Sequence, residues 1–232
     1  MIFRQLFEQE SSTYTYLIGC EKTRKAALID TVKSEVPQYI QLLRELNLTL
    51  VYALDTHTHA DHITGAGALR DLTGCTTLLG EEANSTCVSH ALRDGEKIPV
   101  GELTFTALHT PGHTDDSYTF HLIDGDEQYV FTGDTLLIRG TGRTDFQKGS
   151  ARDQYQSLFG KLLLLPETTW VYPGHDYKGW TRSTIGEEKA HNPRLQVKDV
   201  AAYVELMNNL TLPNPKLMDI AVPANRACGK HE

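Results

Sequence analysis

Apolar positions along the chain fall mostly into short alternating or continuous runs, with helical spacing between them. Near the N-terminus Phe3 with Leu6 and Phe7, then residues 14–18 and 26–29, follow the two-residue period of strands. Val36, Ile40, Leu43 and Leu46 recur at helical spacing, which predicts a helix over 35–46 with Ser34 as its N-cap. The run 48–54 reads as a buried strand, and 66–72 as a short helix stopped by Gly74. Further on, 103–108 predicts a strand, and 118–123 and 129–132 predict two more around Gly125 and Asp126, a hairpin signal. Tyr155, Leu158, Leu162 and Leu165 form a helical face closed by Pro166. A short strand at 170–172 and a helix over 200–210 follow, then a Pro-interrupted tail. Strands and helices in this order predict an α+β chain in which two sheets pack together with helices outside.

The polar landmarks share one position in this pattern. His57-Thr58-His59-Ala60-Asp61-His62 follows the buried run 48–54 directly. His113, Asp134 and His175 each follow a predicted strand, and each comes immediately after a glycine (Gly112, Gly133 and Gly174). Loops leaving four strand ends converge when the strands share a sheet edge, and glycine permits tight turns there. So many imidazoles and carboxylates at one edge are hard to satisfy by hydrogen bonds alone, whereas a metal ion satisfies them together. All seven donors are nitrogen or oxygen, which suits zinc, iron or manganese. Seven donors are enough for two metals with open positions, or for one metal with the other four supporting it. Spacing does not choose between these. A dinuclear zinc site would activate water for hydrolysis. A single iron on two histidines and one carboxylate would leave positions for O2 and substrate. His90, His109, His121, His191 and His231 lack such a context and read as structural or surface residues.

Composition narrows the classes. The 232 residues show no repeat or linker, so one domain over 1–232 is expected, with a short C-terminal helix and tail from about residue 198. The formal net charge of −8 disfavours nucleic acid as a partner. Cys20, Cys75, Cys87 and Cys228 form no C-x-x-C pair, and their scatter reads as reduced thiols. The first residues, charged at Arg4, do not resemble a signal peptide, and no apolar run is long enough to span a bilayer. A cytoplasmic protein is the expectation, with a mature mitochondrial or other organelle form left open.

The H-x-H-x-D-H segment from His57, with the downstream Pro-Gly-His, Gly-Asp and Gly-His, resembles the metallo-β-lactamase superfamily over nearly the whole chain. That resemblance implies an αββα sandwich with metal at one edge of the sheets. It says little about substrate. Three further stretches, 138–147, 192–195 and 221–229, are similar to the persulfide dioxygenases. The related glyoxalase II hydrolases carry a longer helical C-terminal region, and this chain is expected to lack it.

The second resemblance implies one Fe(II) per chain, held by His57, His113 and Asp134, with His59, Asp61, His62 and His175 around them. The implied reaction is oxidation of glutathione persulfide by O2 to sulfite and glutathione. Arg143 and Arg194 match positions expected near the tripeptide, where an arginine fork suits a carboxylate. Tyr177 is a hydroxyl donor for the same substrate. Cys228 is either a wall of the substrate channel or a small buried hydrophobe. A separate sulfurtransferase chain and a homodimer are the expected partners. The alternative is a dinuclear zinc thioester hydrolase resembling glyoxalase II, and a third reading is a non-catalytic sulfur carrier using Cys228.

Overall fold

The computed structural model describes residues 1–211 and 217–229, so His231 and the prolines at 213 and 215 lie outside the described residues. Strands β1 (Ile2–Glu8), β2 (Thr13–Gly19) and β3 (Lys25–Ile29) form an antiparallel meander. Helix α1 (Val36–Glu45) leads to β4 (Thr49–Leu54), which pairs parallel to β3. Helix α2 (Ala66–Thr73) leads to β5 (Thr76–Gly80). β5 and then β6 (His90–Leu92) extend the sheet in parallel. The second sheet is an antiparallel run of β7 (Lys97–Val100), β8 (Leu103–His109), β9 (Tyr118–Asp124) and β10 (Glu127–Gly133). Helix α3 (Ala151–Gly160) then crosses to β11 (Trp170–Pro173), parallel to β10, with β12 (Ser183–Thr184) at the edge. Helices α4 (Ile185–His191), α5 (Val200–Asn208) and α6 (Met218–Arg226) follow.

All seven residues of β2 are buried because its two faces meet different layers. Tyr14, Tyr16 and Ile18 pack between the sheets with Phe105, Phe120, Phe131 and Tyr172. Leu17 points the other way, into a cluster with Tyr39 and Leu43 of α1 and Leu69 of α2. On the far side Val130 and Val171 pack against Leu158, Ile185, Tyr203 and Met207 from α3, α4 and α5. The layers are therefore helix, sheet, sheet, helix, the αββα sandwich.

Several local expectations shift. Residues Lys33–Glu35 form a 3₁₀ turn and α1 starts at Val36 with Pro37 in its first turn, so Ser34 is not the cap. A proline there loses no hydrogen bond and presets φ for the helix. The helix expected across Tyr155 to Leu165 begins earlier, at Ala151. The Ser150 hydroxyl accepts from the Asp153 N–H as its cap, and the helix ends at Gly160. Leu162 reaches the same cluster from a separate 3₁₀ turn, Leu162–Leu164. The tail also contains α6, which carries Pro223 inside it.

Two antiparallel steps and one parallel step leave β8, β10 and β11 pointing the same way, so the loops after them open on one edge. The loop after β4 joins that edge through the Tyr118 N–H, which donates to Thr56 O at 2.7 Å. The Tyr14 N–H donates to Gly174 O at 2.8 Å and ties the first sheet to the loop after β11.

Candidate metal centre

That edge collects the seven donors into two adjoining groups. His57, His113 and Asp134 each offer a ligand atom within 4.8 Å of the others, and so do His59, Asp61, His62 and His175. A third group, Asp30, Asp55 and His59, lies behind them. Its carboxylates are already engaged: Asp30 accepts from the Thr56 N–H, the Thr56 hydroxyl and His59 Nε2, and Asp55 accepts from the Thr64 hydroxyl.

Hydrogen bonds fix which nitrogens face the first group. The Thr56 hydroxyl donates to Asp30 Oδ2 at 2.9 Å, because a carboxylate only accepts. His57 Nδ1, 3.0 Å from the Thr56 hydroxyl oxygen, must then donate to that oxygen. His113 Nδ1 donates to Arg143 O at 2.7 Å. Both rings therefore keep their Nε2 lone pairs for the cluster. Asp134 Oδ1 accepts from His175 Nδ1 at 2.6 Å, while Oδ2 lies 3.7 Å from His113 Nε2. The aspartate presents one oxygen to the group and anchors the other. A side chain at Gly133 would run into the Thr56 hydroxyl and its Cβ, so the chain passes here only without a Cβ, at φ +48°.

The second group is held differently. His175 contacts carboxylates through both ring nitrogens, Nδ1 to Asp134 and Nε2 to Asp61 Oδ2 at 2.8 Å. Asp61 Oδ2 also accepts from His62 Nδ1 at 2.9 Å and from the Thr13 hydroxyl at 3.3 Å. Among the described residues, two buried nitrogens, His59 Nδ1 and His62 Nε2, have no hydrogen-bond partner.

Electrostatics separate the groups further. Burial disfavours the charged form of His57, and neighbouring His59 and His113 add to it, so its pKa lies well below the ordinary histidine value. A neutral imidazole is the form that binds metal. Burial also opposes a charge on His175, yet Asp134 and Asp61 outweigh it and raise its pKa well above normal. Burial works against ionised Asp134 too, and His175, His113 and His57 overcome it and hold the carboxyl below the usual range. For His59 burial is outweighed by Asp30, Asp61 and Asp55, which push its pKa up to about 9.

Comparison with known proteins narrows what such a site belongs to. The metallo-beta-lactamase superfamily profile matches residues 9–86 and 88–175. The human protein "Persulfide dioxygenase ETHE1, mitochondrial" is 46% identical over 230 residues, covering 99% of this chain and 89% of that protein. The chain belongs to the persulfide dioxygenase branch of the metallo-β-lactamase superfamily. The crystal structure of ETHE1 from Myxococcus xanthus superposes with a TM-score of 0.95 at 55% identity, covering 99% of this chain and all of that one. A fission-yeast "Probable hydroxyacylglutathione hydrolase" is similar at 35% identity over 240 residues, 89% of this chain and 90% of that protein. The hydrolase likeness is thus real but weaker.

The residues expected near substrate take varied positions in this family member. Tyr177 is 71% exposed and stacks parallel to the His175 ring, with centroids 6.2 Å apart. Arg143 forks onto Asp145 at 2.6 and 2.8 Å and lies 4.2 Å over the Phe146 ring. Arg194 is turned inward, where its guanidinium donates to the Thr141 carbonyl and hydroxyl. Burial lowers its pKa. Cys228 requires a correction. Neither it nor Cys87 is a reduced thiol: the two form a disulfide across 141 residues, with Cα atoms 5.9 Å apart. Only tertiary folding brings them together, so sequence scatter gave no sign of the bond. Cys20 and Cys75 are free and buried.

Sequence reasoning missed the residues that hold the donors. Asp30 follows the buried run 26–29 as His57 follows its own, and that shared placement was the available signal. Thr13 touches Asp61, His62 and His175 through one hydroxyl. Gln147 donates to Thr58 O at 2.7 Å, and Asn225 donates to His59 O at 2.9 Å and His62 O at 2.8 Å. No local pattern marks these contacts. Among the described residues no helix is long and apolar enough to cross a membrane.

Proposed function

We propose that the chain is an Fe(II)-dependent persulfide dioxygenase that converts glutathione persulfide, O2 and water to sulfite and glutathione. The observation that carries the reading is the split of seven donors into two groups, one of them two histidines and a carboxylate with single lone pairs aimed inward. Two neutral imidazoles and one anionic oxygen suit one Fe(II) with open positions, so His57 Nε2, His113 Nε2 and Asp134 Oδ2 are the proposed ligands. The human relative named persulfide dioxygenase supports a persulfide substrate.

Iron supplies the redox chemistry that lets O2 react with a persulfide sulfur, which zinc does not offer. The chain's own residues do the rest. His175 keeps a proton on Nδ1 against Asp134 Oδ1 and so holds that carboxylate to one orientation. Asp30, through Thr56, fixes the His57 ring, and Arg143 O fixes His113. Tyr177 is the proposed hydroxyl donor to the substrate, and Arg143 is the proposed carboxylate anchor. Asp145 stands where a glutathione carboxylate would bind, and the substrate would displace it. The buried turn of Arg194 favours support of the Thr141 loop over direct contact. The proposed setting is cytoplasmic, with a separate sulfurtransferase chain supplying persulfide.

A dinuclear zinc hydrolase has one observation in its favour: His59 Nδ1 and His62 Nε2 are buried with no hydrogen-bond partner among the described residues. Against it, His175 would have to give up a carboxylate contact to bind metal. Oxygen consumption with glutathione persulfide, in protein loaded anaerobically with iron, tests the proposal beside a parallel assay with a glutathione thioester. Persulfide-dependent oxygen uptake without thioester cleavage supports the dioxygenase. Thioester cleavage without oxygen uptake overturns it.

A further inference from the structure

Helix α6 is fastened to the loop that carries His59 and His62 by one side chain. Asn225, in the last turn of α6 and 4% exposed, uses all its amide groups on that loop. Its Nδ2 donates to the backbone oxygens of His59 and His62, and its Oδ1 accepts from the Thr64 N–H at 2.8 Å. Three residues later Cys228 is bonded to Cys87. The turn between them is not relaxed: Cys228 holds a φ of 56°, which residues with a side chain avoid. Its backbone oxygen also packs so closely on Gly67 of α2 that a Cβ there would overlap it. The remaining ties are lighter, from the Ser85 hydroxyl to Arg226 O and from Lys33 Nζ to Gly229 O.

The two sulfurs stand in unlike surroundings. Cys228 is 3% exposed and its Sγ lies 3.9 Å from Arg70 Nη1, whereas Cys87 is half-buried, the more accessible of the two residues. Arg70 also donates to Cys87 O at 2.6 Å. A neighbouring guanidinium favours thiolate and makes Cys228 the better leaving group. We infer that Cys87–Cys228 is a thiol-exchange site for low-molecular-weight thiols and persulfides, and that its redox state sets how firmly Asn225 clamps the ligand loop. Opening begins when an external thiolate attacks the Cys87 sulfur. The S–S bond breaks and Cys228 leaves as thiolate beside Arg70. A second thiol releases Cys87, so two thiols become one external disulfide while the protein gains two electrons and two protons. Closing reverses this with a persulfide. Cys87 takes the outer sulfur and a thiol leaves; Cys228 thiolate then attacks the Cys87 sulfur and hydrogen sulfide leaves. The net change is one persulfide and two cysteines giving one thiol, one hydrogen sulfide and the protein disulfide. The site does not depend on the dioxygenase reading, since nothing in it requires turnover.

The test uses the full chain, reduced with dithiothreitol, freed of it and kept anaerobic, then given one equivalent of glutathione persulfide. The expected result is one sulfide released per chain and loss of alkylation at Cys87 and Cys228. Exchange of the Thr64 amide hydrogen should slow by about tenfold, the effect of restoring a modest part of a disulfide's constraint. Cys228→Ser should keep one extra sulfur on Cys87 by mass, release no sulfide and show no slowing at Thr64. Unchanged alkylation after persulfide, or equal Thr64 exchange in the two states, overturns the inference.

Discussion

The two donor groups share an edge and a single hydrogen bond, from His175 to Asp134, yet they are built on opposite plans. In the first, each side chain has one nitrogen or oxygen tied back to protein and one turned inward. In the second, carboxylate and imidazole satisfy each other through Asp61 and His175, and His59 Nδ1 and His62 Nε2 have no hydrogen-bond partner among the described residues. Donor count alone therefore says little about metal number. What matters is whether the lone pairs are already in use.

Breaking the first group should have the largest effect. Asp134→Ala removes its only anion, and bound iron and oxygen uptake should vanish together in metal analysis and respirometry. Retained iron with full turnover would remove Asp134 from the ligand set. His175→Ala strikes the link between the groups. It frees Asp134 Oδ1, and iron affinity should fall by about 10–100-fold, as expected when a group orienting a ligand is lost. If His175 instead binds a second metal, the variant will lose one of two ions at stoichiometric loading. Thr56→Val tests the support behind His57. It leaves the buried Nδ1–H without an acceptor, costing about 1–3 kcal/mol in denaturant unfolding, with weaker iron binding. The mildest pair separates substrate binding from support. Arg143→Ala should raise KM for glutathione persulfide with kcat nearly unchanged, as loss of ground-state binding does. Arg194→Ala should instead lower stability by about 1–3 kcal/mol, through the unmet Thr141 carbonyl, and leave KM alone. A reversal of these two would exchange their roles.

Much of the layout was legible in the residue pattern. The strand runs 48–54 and 129–132 emerged because buried strands read as largely apolar stretches, and the H-x-H-x-D-H segment stood out because its four donors fall within six residues. Strands β5 to β7 and β12 were not predicted: β6 and β12 have only three and two residues, and Pro99 interrupts β7, while Pro223 masked α6. Spacing did not show the division of donors, because His57 and His59 are two residues apart and yet belong to different groups; only the family resemblance implied it. Only the chain's path past Asp30 and Thr56 turns their rings to different neighbours. The Cys87–Cys228 bond and the Asn225 clamp were hidden for the same reason: each joins residues more than a hundred positions apart.

Metal content of the purified full chain, expressed without added metal and measured by elemental analysis, bears most directly on this difference between the groups. The account predicts about one iron per chain, on the single two-histidine-one-carboxylate set. Two zinc ions per chain, with no iron, would contradict it.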